Sequence, residues 1–214
     1  MAPHHRGGAV MAFLAVVVLA YLAGSIPTGV LLSRRRGVDP RDVGSGNIGA
    51  TNVARAAGPA AGLLTLAGDL LKGLVPVLLA RRIGLSNTAV AAVGLSAFLG
   101  HLYSCFLGFD GGKGVATALG VLLALAPFGA LILVGVFLAT VAATRFVSLA
   151  SLCAAALACP LLLILGYPPG TVAVAAATAA LVTYRHRDNV RRLRFGTEPR
   201  IGMARVSSVD SGVA

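Results

Sequence analysis

The sequence has no tryptophan, only 7 acidic residues in 214, and a charged share of 12%. A water-soluble domain carries about 25% charged residues, so a soluble globular class is excluded. The scarcity of carboxylates leaves no pair placed for acid/base work. There is also no cluster with metal-ligand spacing, so neither a metal nor a cofactor is expected. Three cysteines (Cys105, Cys153, Cys159) lie in or beside apolar runs. Their odd number excludes a closed disulfide framework, and they read as buried packing residues. Internal repeats and low-complexity tracts are also missing. The formal net charge of +11 has no separate basic domain to carry it, so nucleic acid is not an expected partner.

What remains is hydrocarbon. Hydrophobic residues make up 57% of the chain and the mean hydropathy is +0.88, values of a polytopic membrane protein. The fold class read from this is all-α, with about seven transmembrane helices in one integral-membrane domain over residues 1–214 and a flexible tail over 203–214. The first apolar run, Ala9–Leu32, passes the small residues Ala23-Gly24-Ser25 and ends in Arg34-Arg35-Arg36. That is a stop-transfer pattern and argues against a cleaved signal peptide. Further spans are expected over about Ala60–Ala80 and Thr88–Leu107. The 29-residue run Val115–Ala143 holds Pro127 and Gly129 near its middle and reads as two short helices. Spans ending near Leu165 and Thr183 complete the set.

With seven spans, 14 of the 18 Lys/Arg fall on one side of the membrane. The positive-inside rule makes that side cytoplasmic and puts the N-terminus outside. All polar, motif-like segments then face one compartment, which places a site at the cytoplasmic face of a membrane, in contact with membrane lipids.

The first of those segments is Gly44–Arg55, GSGNIGATNVAR. Ser45, Asn47, Thr51 and Asn52 can hydrogen-bond an oxyanion, and Arg55 adds an always-charged fork suited to phosphate. The run matches the dinucleotide pattern G-x-G-x-x-G, but no strand precedes it, so that reading is discarded. In the second segment, Gly111, Gly112 and Gly114 surround Lys113. This is no Walker A loop, but it can form a nest of backbone N–H groups for a phosphate; a tight turn with a snorkelling lysine is the plainer reading. Within the second span, Asp69 and Lys72 share a helical face and read equally as site or structural ion pair. Arg145 pairs by spacing with Ser148, and His186 with Asn189. Arg55, Lys113, Arg145 and Arg187 are the candidate anion binders, and His186 is the one well-placed neutral base. The acyltransferase pattern of His followed five positions later by Asp is absent, with Phe106 and Arg191 at those positions. Many phosphate grips and few acid/base groups suit a reaction whose leaving group is already good.

Three segments in order, GSGNIGATNVAR (44–55), GHLYSCFLGFDGGKGVATALG (100–120) and HRDNVRRLRFGTE (186–198), together with DLLKG (69–73) and TRFVSLAS (144–151), resemble the bacterial membrane glycerol-3-phosphate acyltransferases that use acyl phosphate, the PlsY family. Asp110 departs from the basic residue that the family places before GGKG. The resemblance implies acyl transfer from acyl phosphate to the 1-hydroxyl of glycerol 3-phosphate, giving lysophosphatidic acid and phosphate in phospholipid synthesis. It implies that Ser45, His186 and Asn189 position the acceptor and that Arg55 and Lys113 hold phosphate. Thr51, Asn52 and the 111–114 backbone would cradle the acyl phosphate. It also implies a functional link to a soluble enzyme that makes acyl phosphate. The competing class is a transporter of an anionic phosphorylated metabolite; it fits the same cations but lacks the repeat symmetry and midplane charges of such folds.

Overall fold

The computed structural model describes residues 4–202, all helix and connections; the expected tail over 203–214 lies outside the described residues. Among the described residues ten α-helices follow in order: α1 His4–Ser25, α2 Thr28–Arg34, α3 Ala50–Ala57, α4 Pro59–Arg82, α5 Asn87–Leu102, α6 Val115–Leu125, α7 Pro127–Thr144, α8 Val147–Ile164, α9 Pro169–Arg185 and α10 Arg187–Arg194. Five segments are long and apolar enough to cross a bilayer: Val10–Arg34, Pro59–Arg82, Asn87–Leu107, Pro127–Thr144 and Val147–Ile164. The other two expected spans correspond to α6 and α9, of 11 and 17 residues. The division of Val115–Ala143 falls at Ala126, and Pro127 starts α7, where its missing N–H costs nothing.

Exposed leucines on α4, such as Leu63 and Leu79, and Ile164 on α8 face outward as lipid-facing residues do. Inside, helices approach through small residues. A Cβ on Gly73 would lie 2.2 Å from the Thr117 carbonyl oxygen, and one on Gly120 2.1 Å from that of Leu70, so α4 and α6 touch backbone to backbone. The three cysteines are free and half-buried rather than fully buried.

The break at Ile26–Pro27 explains the charges inside α4. Proline removes an N–H and pushes its predecessor out of helical geometry, freeing carbonyls in the membrane interior. Lys72 Nζ donates to the Ile26 carbonyl at 3.0 Å, and Ser104 Oγ to that of Ser25 at 2.6 Å. Asp69 lies 2.9 Å from Lys72 Nζ and accepts from the Thr28 hydroxyl. The pair therefore ties α4 to the broken first span, and Asp69 also borders the cavity described below, so both readings open in the sequence keep a contact behind them.

Two short helices outside the long spans complete the functional end. α3 grows directly out of the glycine-rich run, where the sequence reads only a polar segment, and α10 follows α9 after a bend at His186.

Candidate functional site

The connection before α3 is built around one amide. Asn52 Oδ1 accepts from the Ser45 N–H at 3.0 Å, and its Nδ2 donates to the carbonyls of Pro40, Val43 and Asn47 at 2.8–3.0 Å. Gly44 sits at φ +64° directly against this amide; a Cβ there would lie 2.4 Å from Asn52 Oδ1. The side chain of Asn52 is thus spent on shaping the loop and is not free to cradle a ligand, as the sequence reading had it. Ser45, Asn47, Thr51 and Arg55 are presented around it on one side.

The 110–114 loop is pinned from two directions. The N–H groups of Gly111 and Gly112 donate to the carbonyls of Leu102 and His101 at the end of α5, at 3.0 and 3.1 Å. Arg185 grips the other edge, reaching the carbonyls of Gly111 and Gly112 and the carboxylate of Asp110. This corrects part of the expected 111–114 nest: the Gly111 and Gly112 N–H groups are already taken by backbone carbonyls, and it is Lys113 and Gly114 that the loop turns to the cavity. Gly112 is required by close approach, since a Cβ would lie 2.3 Å from His101 Nε2.

Lys113 Nζ donates to Asn189 Oδ1 at 2.5 Å, Asn189 Nδ2 donates to Glu198 Oε1 at 2.6 Å, and Arg192 Nε donates to Glu198 Oε2 at 2.7 Å. This chain of donors and acceptors links the loop, α10 and the segment after it. Burial, with Arg192 nearby, pushes the Lys113 ammonium down to about 8, although Glu198 and Asp188 oppose the shift. Burial would raise the Glu198 carboxyl, but Ser148, Asn189 and Arg192 around it outweigh that and lower it. His186 Nδ1 is 2.8 Å from the Val182 carbonyl, which can only accept; the proton is therefore on Nδ1, and Nε2 carries the lone pair. Burial, then the Lys113 charge, brings this imidazole down to about 4.

These groups meet in a cavity of about 380 Å³. Ser45, Asn47, Thr51, Arg55, Lys113, Gly114, Ser148, His186 and Asn189 all border it, and Asn52 does so from within the loop. Gly111, Gly112 and Arg145 do not. Arg145 is exposed in a left-handed turn at φ +62°, and its carbonyl accepts from the Ile201 N–H. Arg187 also turns away and stacks on the Tyr184 ring at 5.0 Å. Sequence reasoning missed Glu198 and Arg192. A lone glutamate just after a run of arginines was the available signal. Among the described residues neither Arg55 nor Lys113 forms an ion pair, and both border the cavity. Below this polar rim the walls of α6, α7, α8 and α9 are apolar.

A profile for glycerol-3-phosphate acyltransferases matches residues 14–196. The chain belongs to the glycerol-3-phosphate acyltransferase family. It is 55% identical to the glycerol-3-phosphate acyltransferase of Geobacter sulfurreducens over 188 residues, covering 87% of this chain and 96% of that one. Identity to the enzyme of the same name from Aquifex aeolicus is 46% over 195 residues, 89% of this chain and all of the relative. Among solved structures, the glycerol 3-phosphate form of PlsY, an integral membrane glycerol 3-phosphate acyltransferase, superposes with a TM-score of 0.86 at 46% identity, covering 89% of this chain and 96% of that one. The lysophosphatidic acid form of the same enzyme gives 0.83 at 45% identity and the same coverage. An integral membrane enzyme agrees with the five segments long and apolar enough to cross a bilayer, and acylation of glycerol 3-phosphate fits phospholipid synthesis.

Proposed function

We propose that the chain transfers a fatty acyl group from an acyl phosphate to the 1-hydroxyl of glycerol 3-phosphate, giving lysophosphatidic acid and inorganic phosphate. The observation that carries this reading is the two-part cavity: Arg55 and Lys113 without ion pairs at a polar rim, above apolar walls. Phosphate groups of donor and acceptor pair with the cations, and the hydrocarbon tail enters the apolar part. Ser45 and Asn189 orient the acceptor, Asn47 and Thr51 lie beside the donor phosphate, and Asn52 keeps their loop in shape. Ser148, at the start of α8 beside Glu198, supplies a further hydroxyl at the rim.

The hydroxyl oxygen of glycerol 3-phosphate bonds to the acyl carbon. The bond from that carbon to the phosphate oxygen breaks, and its electron pair leaves on phosphate. The hydroxyl proton passes to a phosphate oxygen of the substrates. An imidazole held near 4 is a weak base at neutral pH, so His186 serves through its Nε2 lone pair as a hydrogen-bond acceptor that aligns the hydroxyl.

The chain is a single domain with seven membrane passages, its N-terminus outside and the site facing the cytoplasm of a bacterial inner membrane. The distribution of Lys/Arg supports this orientation. A soluble enzyme that makes acyl phosphate supplies the donor. The direct test offers the purified protein labelled glycerol 3-phosphate with either acyl phosphate or an acyl thioester. Lysophosphatidic acid from acyl phosphate alone supports the donor; equal use of the thioester overturns it.

A further inference from the structure

The apolar part of the cavity has a floor. Along α8 its wall is made of small residues, Ser151, Ala154, Ala155 and Ala158, which leave room that longer side chains would fill. From Val147 at the start of α8 to Ala158 is 11 residues of helix, roughly 16 Å at 1.5 Å per residue. On α7 the deepest wall residue is Leu133, also 11 residues from the helix end at Thr144. The α7 and α8 walls therefore stop at the same depth. One turn below Ala158, Leu162 is fully buried and does not border the cavity. It packs with Ala126, Ala130, Leu133 and Ala158 in one core cluster. A Cβ on Gly129 would lie 2.8 Å from Leu162 Cδ1, so that space is already taken.

We propose that Ala158, backed by Leu162, sets the longest acyl chain that the enzyme accepts. This rests on the acyl-transfer reading above. The chain runs down between α7 and α8 until its end meets Ala158 and Leu133, with Leu162 closing the way. Leu66 and Leu138, exposed residues that also border the cavity, offer the one competing route, sideways into lipid. A tail leaving there would be insensitive to the floor.

The test is a donor series of acyl phosphates of increasing length on the purified protein. One methylene more or less in an apolar pocket changes specificity by about 10–200-fold. Ala158→Leu is therefore expected to lower the ratio of long-chain to short-chain rates at least about tenfold, and Leu162→Ala to raise the rate with donors longer than wild type prefers. Because the readout is a ratio within one preparation, partial loss of folded protein cancels. Leu157→Phe, one residue away on the exposed side of α8, should leave the ratio unchanged. An unaltered length profile in both Ala158→Leu and Leu162→Ala overturns the gauge. Absence of transfer from every donor in the wild type would instead overturn the underlying reading.

Discussion

Lys113 Nζ and Asn189 Oδ1, 76 positions apart in sequence, are 2.5 Å apart in the fold, and that contact dictates which way the Asn189 amide faces. With its oxygen on the ammonium, its nitrogen is the end that donates to Glu198. Reversing the amide would set donor against donor at one end and acceptor against acceptor at the other. Asn189→Asp is thus expected to place a carboxylate beside Glu198 and to lower kcat/KM by about 10²–10³, the range seen when one donor of a preorganised polar site is lost. Asn189→Leu should do at least as much damage. Steady-state kinetics on the two variants check this.

Glu198 joins the segment after α10 to the site, and its removal leaves two partners unsatisfied. Glu198→Gln keeps the shape but drops the charge that holds Arg192 and opposes the downward shift of Lys113. The Lys113 ammonium should then deprotonate at a lower pH than in the wild type. The measurable result is an alkaline limb of kcat/KM displaced downward.

The wild-type alkaline limb follows from the same lysine. Its cation is needed for phosphate and is lost as pH rises through about 8, so kcat/KM should fall above that pH. Lys113→Arg should abolish the limb, whatever its effect on rate, because guanidinium does not deprotonate in this range. His186 contributes no limb between pH 5 and 8, since it is already neutral above about 4. His186→Gln should keep most of kcat at saturating substrate; a collapse to background would make His186 an obligatory base.

Asp69 and Lys72 give a prediction about stability. Asp69→Leu leaves Lys72 charged in the interior without its carboxylate, at a cost of about 3–5 kcal/mol. Adding Lys72→Met should recover part of that loss, although the Ile26 carbonyl then keeps only the Thr28 N–H of its two donors. Melting of the detergent-solubilised variants reads both effects.

Much of this was legible in the sequence. The apolar runs marked every long helix, and Pro127 located the division between α6 and α7, because both signals are local chemistry. Ser45, Arg55, Lys113, His186 and Asn189, the set that the family resemblance implied, all border one cavity. The failures concern where donors are already spent. Nothing local distinguishes an Asn52 that binds a ligand from one that binds its own loop, or reveals that the Leu102 and His101 carbonyls take the Gly111 and Gly112 amides. Arg145 and Arg187 carry the right charge but point elsewhere, a matter of helix ends that spacing does not resolve.

The most direct test of the central claim is formation of labelled lysophosphatidic acid from acyl phosphate and glycerol 3-phosphate by purified wild type, Arg55→Ala and Lys113→Ala. Product from the wild type, with each variant reduced at least about a hundredfold at unchanged melting temperature, is the predicted result. Variants as active as the wild type would contradict the assignment of the two cations to phosphate.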